Sequence, residues 1–212
     1  MATNLLLVKG KTFSRVIRWA AAPYLYKPIT AITQAAPVAI TSAGHGIPDG
    51  WQVAVVSVKG MTQINATVPS DPRSFNDVTH KATASDANTI TINDINSAGF
   101  SVYTSGGYIQ LLSPVDMNGF TARMSIKDKT GGTELFRLDT TTDAAVLPYT
   151  HAQPRIALDN VNKTITLAIH AEDTAVMPFK KGVYDLEMIS SSGVVDLLMS
   201  GAITVVDEVT TT

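Results

Sequence analysis

Apolar and polar residues alternate in short runs along much of this chain. In Phe120–Lys127, Phe120, Ala122, Met124 and Ile126 fall on one face, and Thr121, Arg123, Ser125 and Lys127 on the other. A period of two with one wet face predicts a half-buried antiparallel strand. Thr164–Ile169 repeats the pattern with Ile165, Leu167 and Ile169 inward; Val183–Met188 sets Tyr184, Leu186 and Met188 against Asp185 and Glu187. Further strands are expected at Leu5–Val8, Phe13–Trp19, Glu134–Leu138, Val194–Met199 and Ala202–Val206. Turn residues lie between them, at Thr130–Thr133 with its two glycines, Asn160–Lys163 and Ser190–Gly193. Glycines there supply the positive φ angles of tight hairpins. Ala171–Pro178 is expected to make one helical turn that Pro178 ends. No long segment has a 3.6-residue period, so the chain is expected to be all-β.

The texture changes from Pro28 to Leu112, where charges are few and Ala, Thr, Ser, Asn and Gly are many. Strand candidates are Pro37–Thr41, Trp51–Val58, Thr89–Ile92 and Tyr108–Leu112. Ala66–Ser85 is largely polar, contains Pro69 and Pro72, and reads as one long loop, of the kind that is either mobile or a contact arm. Ala20–Pro23 is apolar without periodicity and reads as a covered linker.

Composition narrows the function classes. The 212 residues carry 16 basic and 18 acidic side chains, a net charge of -2, which leaves no electrostatic footprint for nucleic acid or an anionic membrane. A hydrophobic content of 45% against 16% charged residues excludes a disordered chain. The absence of cysteine excludes disulfides, thiolate metal sites and cysteine nucleophiles. Leu5–Val8 is the apolar run near the start and no basic residue precedes it, so no signal peptide is expected. No apolar run approaches the ~20 residues of a spanning helix. A soluble protein made in a cytoplasm is the expectation.

Candidate chemistry is thin. His45, His80, His151 and His170 have no metal-ligand spacing. Gly44–Gly50 has the glycines of a phosphate loop, but the spacing is wrong and Pro48 removes a donor, so turns are expected. No Gly-x-Ser-x-Gly elbow occurs, and Ser105 beside Gly106 and Gly107 reads as a hairpin tip. Glu172/Asp173 and Asp207/Glu208 are adjacent in sequence, poor geometry for a shared acid and base on a strand. No catalytic, cofactor-binding or metal residue is therefore assigned. Interface candidates are Arg15, Arg18, Tyr24 and Tyr26, since arginine and aromatic residues concentrate at interfaces, together with Phe75, the aromatic residue of Ala66–Ser85. Phe13, Ile17 and Trp19 read as core; for Tyr24 and Tyr26 the core and interface readings both stand.

Two sets of motifs carry a resemblance. The first is Pro114-Val115-Asp116-Met117-Asn118-Gly119-Phe120-Thr121-Ala122-Arg123, followed by Ile165–Leu167, Ala171–Thr174, Gly182–Glu187 and Gly201–Val205, with Asn4–Phe13 as the opening. Together these resemble an immunoglobulin-like β-sandwich of bacteriophage tail and baseplate proteins. The second is Ala31–Val38, Ala43–Ile47, Val58–Asn65 and Tyr103–Gly107. It resembles a small β-barrel module of phage tail proteins, likened to the first catalytic-cysteine half-domain of ubiquitin-activating enzymes; without cysteine or an adenylation motif the likeness implies no such enzymology.

The order of the two sets implies a discontinuous immunoglobulin-like sandwich, 1–28 with 113–212, and an inserted barrel, 29–112. The resemblance implies a structural protein of a tail or baseplate, without catalytic residues or cofactor. Its partners would be other tail or baseplate proteins and copies of itself in a ring, and its place the virion after synthesis in the bacterial cytoplasm. The rival readings are a receptor- or glycan-contacting tail-tip module and a cell-wall hydrolase, the latter without an acid/base or metal constellation.

Overall fold

The computed structural model describes residues 3–66, 79–141, 149 and 155–209. Among them the strands are β1 (Leu5–Val8), β2 (Phe13–Ile17), β3 (Ala20–Pro28), β4 (Ala31–Ile32), β5 (Val38–Thr41), β6 (Gln52–Val56), β7 (His80–Ala84), β8 (Thr89–Ile92), β9 (Tyr108–Pro114), β10 (Thr121–Lys127), β11 (Glu134–Asp139), β12 (Ile156–Asp159), β13 (Thr164–Ile169), β14 (Lys181–Ile189) and β15 (Val195–Val206). The chain is all-β, with one short α-helix, Ala171–Ala175, and one 3-10 turn, Thr62–Ile64, among the described residues. It divides into two compact units, Met1–Trp19 with Asp116–Thr212, and Ala20–Val115.

The first unit is a two-sheet sandwich. One sheet has the order β1-β15-β14-β10-β11 and the other β12-β13-β2. The expected alternation is what fills the space between them. Ala122, Met124 and Ile126 from β10, Ile165, Leu167 and Ile169 from β13, and Tyr184, Leu186 and Met188 from β14 are buried in one core. Leu5 and Leu7 join it because β1 runs parallel to the end of β15, with Leu5 opposite Ile203 and Leu7 opposite Val205. Phe13, Ile17 and Trp19 pack against the same core, Trp19 edge-on to Phe120 at 5.4 Å.

The expected break at Gly201 does not occur: Val195–Val206 is one strand. Glycine is needed there for another reason. A side chain at Gly201 would run into the backbone of Thr3, which lies against β15 and accepts the Tyr184 hydroxyl at 2.6 Å.

The second unit is one sheet, β3-β9-β6-β7-β8-β5-β4. Its two end strands, β3 and β4, are consecutive in the chain, with Ile29 and Thr30 between them. So short a link spans about 11 Å at most, so the sheet must curl until its ends meet. Ile29 donates its N–H to Gly107 on one side and Thr30 donates to Thr41 on the other, at 3.0 and 2.9 Å. One bent strand thus closes a barrel, whose interior holds Val38, Ile40, Val53, Val55, Ile90, Ile92, Ile109 and Leu111.

Ala20–Pro28 is a barrel strand rather than a linker that belongs with the sandwich. It pairs antiparallel with Tyr108–Pro114, Ala20 opposite Pro114, which moves the junctions from 28 and 113 to Trp19/Ala20 and Val115/Asp116. The register slips between Ala21 and Tyr24, where Pro23 has no N–H to give the ladder. The expected loop Ala66–Ser85 is also shorter at its end. His80–Ala84 is a strand paired with both β6 and β8, and its Ala82 is fully buried. Residues 67–78 lie outside the described residues.

Candidate functional site

The two units divide the expected interface residues between them. Arg15 lies on β2 of the sandwich, opposite the buried Leu167, so its side chain shares the inward face with Phe13 and Ile17 but sits exposed at the rim. Burial raises the Tyr184 phenol across the core, and the charge of Arg15 acts on it in the opposite direction. Arg18 donates to the Asn162 carbonyl at 2.9 Å, tying the end of β2 to the β12–β13 turn.

Tyr24 and Tyr26 lie on β3 of the barrel, opposite Leu112 and Gln110, on the face turned away from Ile109 and Leu111. Tyr26 is 51% exposed and stands edge-on to Tyr108, which is 45% exposed, with ring centres 6.2 Å apart. The Gln110 amide donates to the Tyr26 hydroxyl at 2.9 Å and fixes the ring's position. Tyr108 was not among the sequence candidates. Only the register, Pro28 opposite Tyr108, brings it to Tyr26. Phe75 lies outside the described residues.

The groups with chemical potential are built into the fold. His45 is 2% exposed. Its Nδ1 accepts the Ile47 N–H and its Nε2 donates to the Asp86 carbonyl, both at 2.9 Å, so both ring nitrogens are occupied. His80 pairs through Nδ1 with Asp94 at 2.8 Å near a small hollow of about 240 Å³ lined by Gln63, Asn65 and Phe100. His170 flanks the short helix, and His151 lies outside the described residues. Among the described residues no group of three or more metal-ligating side chains converges.

Two charged clusters complete the sandwich. The outer face of its larger sheet is a concave groove of about 530 Å³. There Arg123 pairs across the strands with Glu187 at 2.6 Å, and Arg137 pairs with Asp139 of its own strand at 3.2 Å. The second cluster is buried. Arg155 donates to Asp173 at 3.2 Å and to the Arg137 carbonyl at 3.2 Å, and its guanidinium lies 4.4 Å from the Phe136 ring centre. Tyr149 stacks edge-on against Phe136 and donates its hydroxyl to Leu135; burial holds that phenol above its ordinary range. Asp173 is fully buried, so this pair binds the short helix to β11 and is closed to a ligand.

The surfaces that remain open are strand edges and the tyrosine face. In the barrel β3 pairs with β9 and β4 with β5, and the chain itself, bent at Ile29 and Thr30, joins the two. Among the described residues the sandwich sheets end on β1 and β11 and on β12 and β2, each paired on one side, and the first half of β15 is open as well, since β1 covers only Ile203–Val206. No protein-family model matches the chain, and no curated protein matches it in sequence.

Proposed function

We propose that this chain is a structural subunit of a bacteriophage tail, at the baseplate or tail end, that holds neighbouring subunits together by protein–protein contacts. The observation that carries the reading is the nesting of the two units. A sandwich is interrupted after β2 by a barrel with its own core, and the barrel's ends, Ala20 and Pro114, are paired neighbours. Inserted domains are accommodated where their ends emerge together. That arrangement supports the resemblance of the Pro114–Arg123 set to the immunoglobulin-like sandwich of tail proteins and of the Ala31–Val38 set to their barrel module. A subunit with two such bodies has two surfaces for different neighbours, and in this reading several copies form a ring about the tail axis. It works without catalytic residues or cofactor.

The expected result is that quantitative mass spectrometry of purified virions finds this protein in several copies per tail. Absence from the particle, or a single copy, overturns the reading in favour of an assembly role outside the virion.

One observation favours a second reading, a glycan- or receptor-contacting module. Exposed tyrosines held in place by an amide offer apolar faces with polar tips, the chemistry that grips a sugar ring. If Tyr26 and Tyr108 serve that role, the purified protein binds host-surface polysaccharide and Tyr26→Ala with Tyr108→Ala abolishes the binding. Undiminished binding by that variant removes the tyrosines from the role.

A further inference from the structure

We infer that one copy of this chain pairs with a second copy through unlike sandwich edges, the free edge of β15 in one against the free edge of β2 in the other. The inference rests on the reading above only for the presence of several copies.

Among the described residues no strand pairs with the outer edge of β15 over Val195–Met199. Its partner β14 lies on one side, and β1 begins to cover the other only at Ile203. Exposed strand edges, whose unpaired N–H and C=O groups template another chain, are commonly guarded by an inward-pointing charge, which a partner must neutralise in order to pair. This one carries Val194, Val195 and Leu197, respectively 57%, 46% and 61% exposed. Val195 pairs with Ile189 and Leu197 with Glu187, so both point to the outer face of the sheet. Between them Asp196 lies opposite the buried Met188 and points inward at the rim.

The β2 edge carries the complementary pattern. Arg15, opposite the buried Leu167, points inward at its rim. Val16, opposite Thr166, points outward and is 58% exposed. Laying β2 of one copy beside β15 of another so that Arg15 faces Asp196 fixes the rest. Side chains alternate along a strand, so the inward charges oppose each other. In the antiparallel sense Val16 then meets Val195; in the parallel sense it meets Leu197. Either way an exposed apolar residue lands on another, and an acid on a base. Directly opposed pairs of these kinds stabilise sheets, whereas like charges in the same place destabilise them.

Each copy has one edge of each kind, so the contact repeats from copy to copy and closes into a ring if the rotation allows. A contact of five residues buries little area and is weak alone, which suits copies that are gathered by a common scaffold.

The test is sedimentation velocity of the purified full chain at low ionic strength, over a concentration series reaching about 1 mM, the range of weak association. The wild type is expected to self-associate. Arg15→Asp and Asp196→Arg each place like charges across the contact and should weaken association at least about tenfold. The double variant Arg15→Asp with Asp196→Arg exchanges the charges and should restore it. Circular dichroism checks folding; if a reversal unfolds the chain, Arg15→Gln and Asp196→Asn should show the same loss. A monomer throughout the series, singles that associate like wild type, or a double variant that is not restored each overturn the inference. None of these outcomes bears on whether the protein is found in virions, so the two readings fail separately.

Discussion

Asp173→Ala is expected to destabilise the sandwich by about 3–5 kcal/mol, because it takes a fully buried carboxylate away from the Arg155 guanidinium. The Arg155 side chain is 10% exposed and Asp173 is not exposed at all. The Arg155 guanidinium also faces Phe136 and donates to the Arg137 carbonyl. The pair ties three separate pieces of chain together. Arg155 precedes β12, Asp173 belongs to the short helix, and Phe136 lies on β11. The neighbouring Thr174 hydroxyl reaches the carbonyls of Lys11 and Ala171, at 2.9 and 2.8 Å, so the helix also anchors the segment ahead of β2. A loss of that size is a large share of the stability of an ordinary domain. It should lower the urea midpoint of the sandwich by about 1–5 M, given the slopes typical of small domains. Hydrogen exchange along a urea series, read in β13 and β14, reports that unit's transition. Val161→Ala, in the exposed β12–β13 turn, is the control and should leave it unchanged. A shift below about 1 kcal/mol for Asp173→Ala would mean that the guanidinium finds water or another acceptor in the folded state.

The legible parts of this fold were those whose cause is local. Thr164–Ile169 and Thr89–Ile92 alternate strictly and sit at the predicted residues, because a half-buried strand imposes that period on its own sequence; Leu5–Val8 also sits where predicted, as a short apolar run whose burial, not its sequence, alternates. Ala20–Pro28 was missed because Pro23 interrupts any pattern and its strand character comes from Tyr108–Pro114, some ninety residues on. His80–Ala84 was missed because its inward residue is Ala82, too small to mark an apolar face. Gly201 looked like a break because the backbone of Thr3, which makes glycine necessary there, is remote in sequence. The interaction surfaces follow the same rule. Tyr26 could be singled out as an aromatic residue beside arginines, but Tyr108 becomes its neighbour only through register. The exposed Val195 and Leu197 read as ordinary strand residues until the topology shows that, among the described residues, no strand pairs with their outer edge.

The barrel offers a matching test of a remote cause. Gly60 has φ +81, a conformation that L-residues adopt at a cost, and it sits where two segments cross. Lys59 and Ser105 form an isolated bridge beside it, with Lys59 donating to Ser105 and Thr104 donating to Lys59, each at 3.0 Å. A methyl group on Gly60 would collide with the Val102 carbonyl and lie 2.8 Å from the Thr104 N and Cγ2. The other side of the turn cannot yield easily. The next residue, Met61, is fully buried, and Asn65 clamps the backbone of Val58 from both ends, accepting its N–H at 2.8 Å and donating to its carbonyl at 3.0 Å. Gly60→Ala therefore adds backbone strain to a displaced crossing segment, and the two together should cost the barrel about 3 kcal/mol or more. Gly44 separates the two contributions. It has φ +56, but nothing lies within 4 Å of where its methyl group would stand. Gly44→Ala should cost only the conformational share, about 1–2 kcal/mol. Hydrogen exchange in β8 and β9 along the same urea series measures both variants in the barrel strands. Equal losses would show that the close approach of Val102 and Thr104 relaxes at no cost, and that Gly60 is present for its φ angle alone.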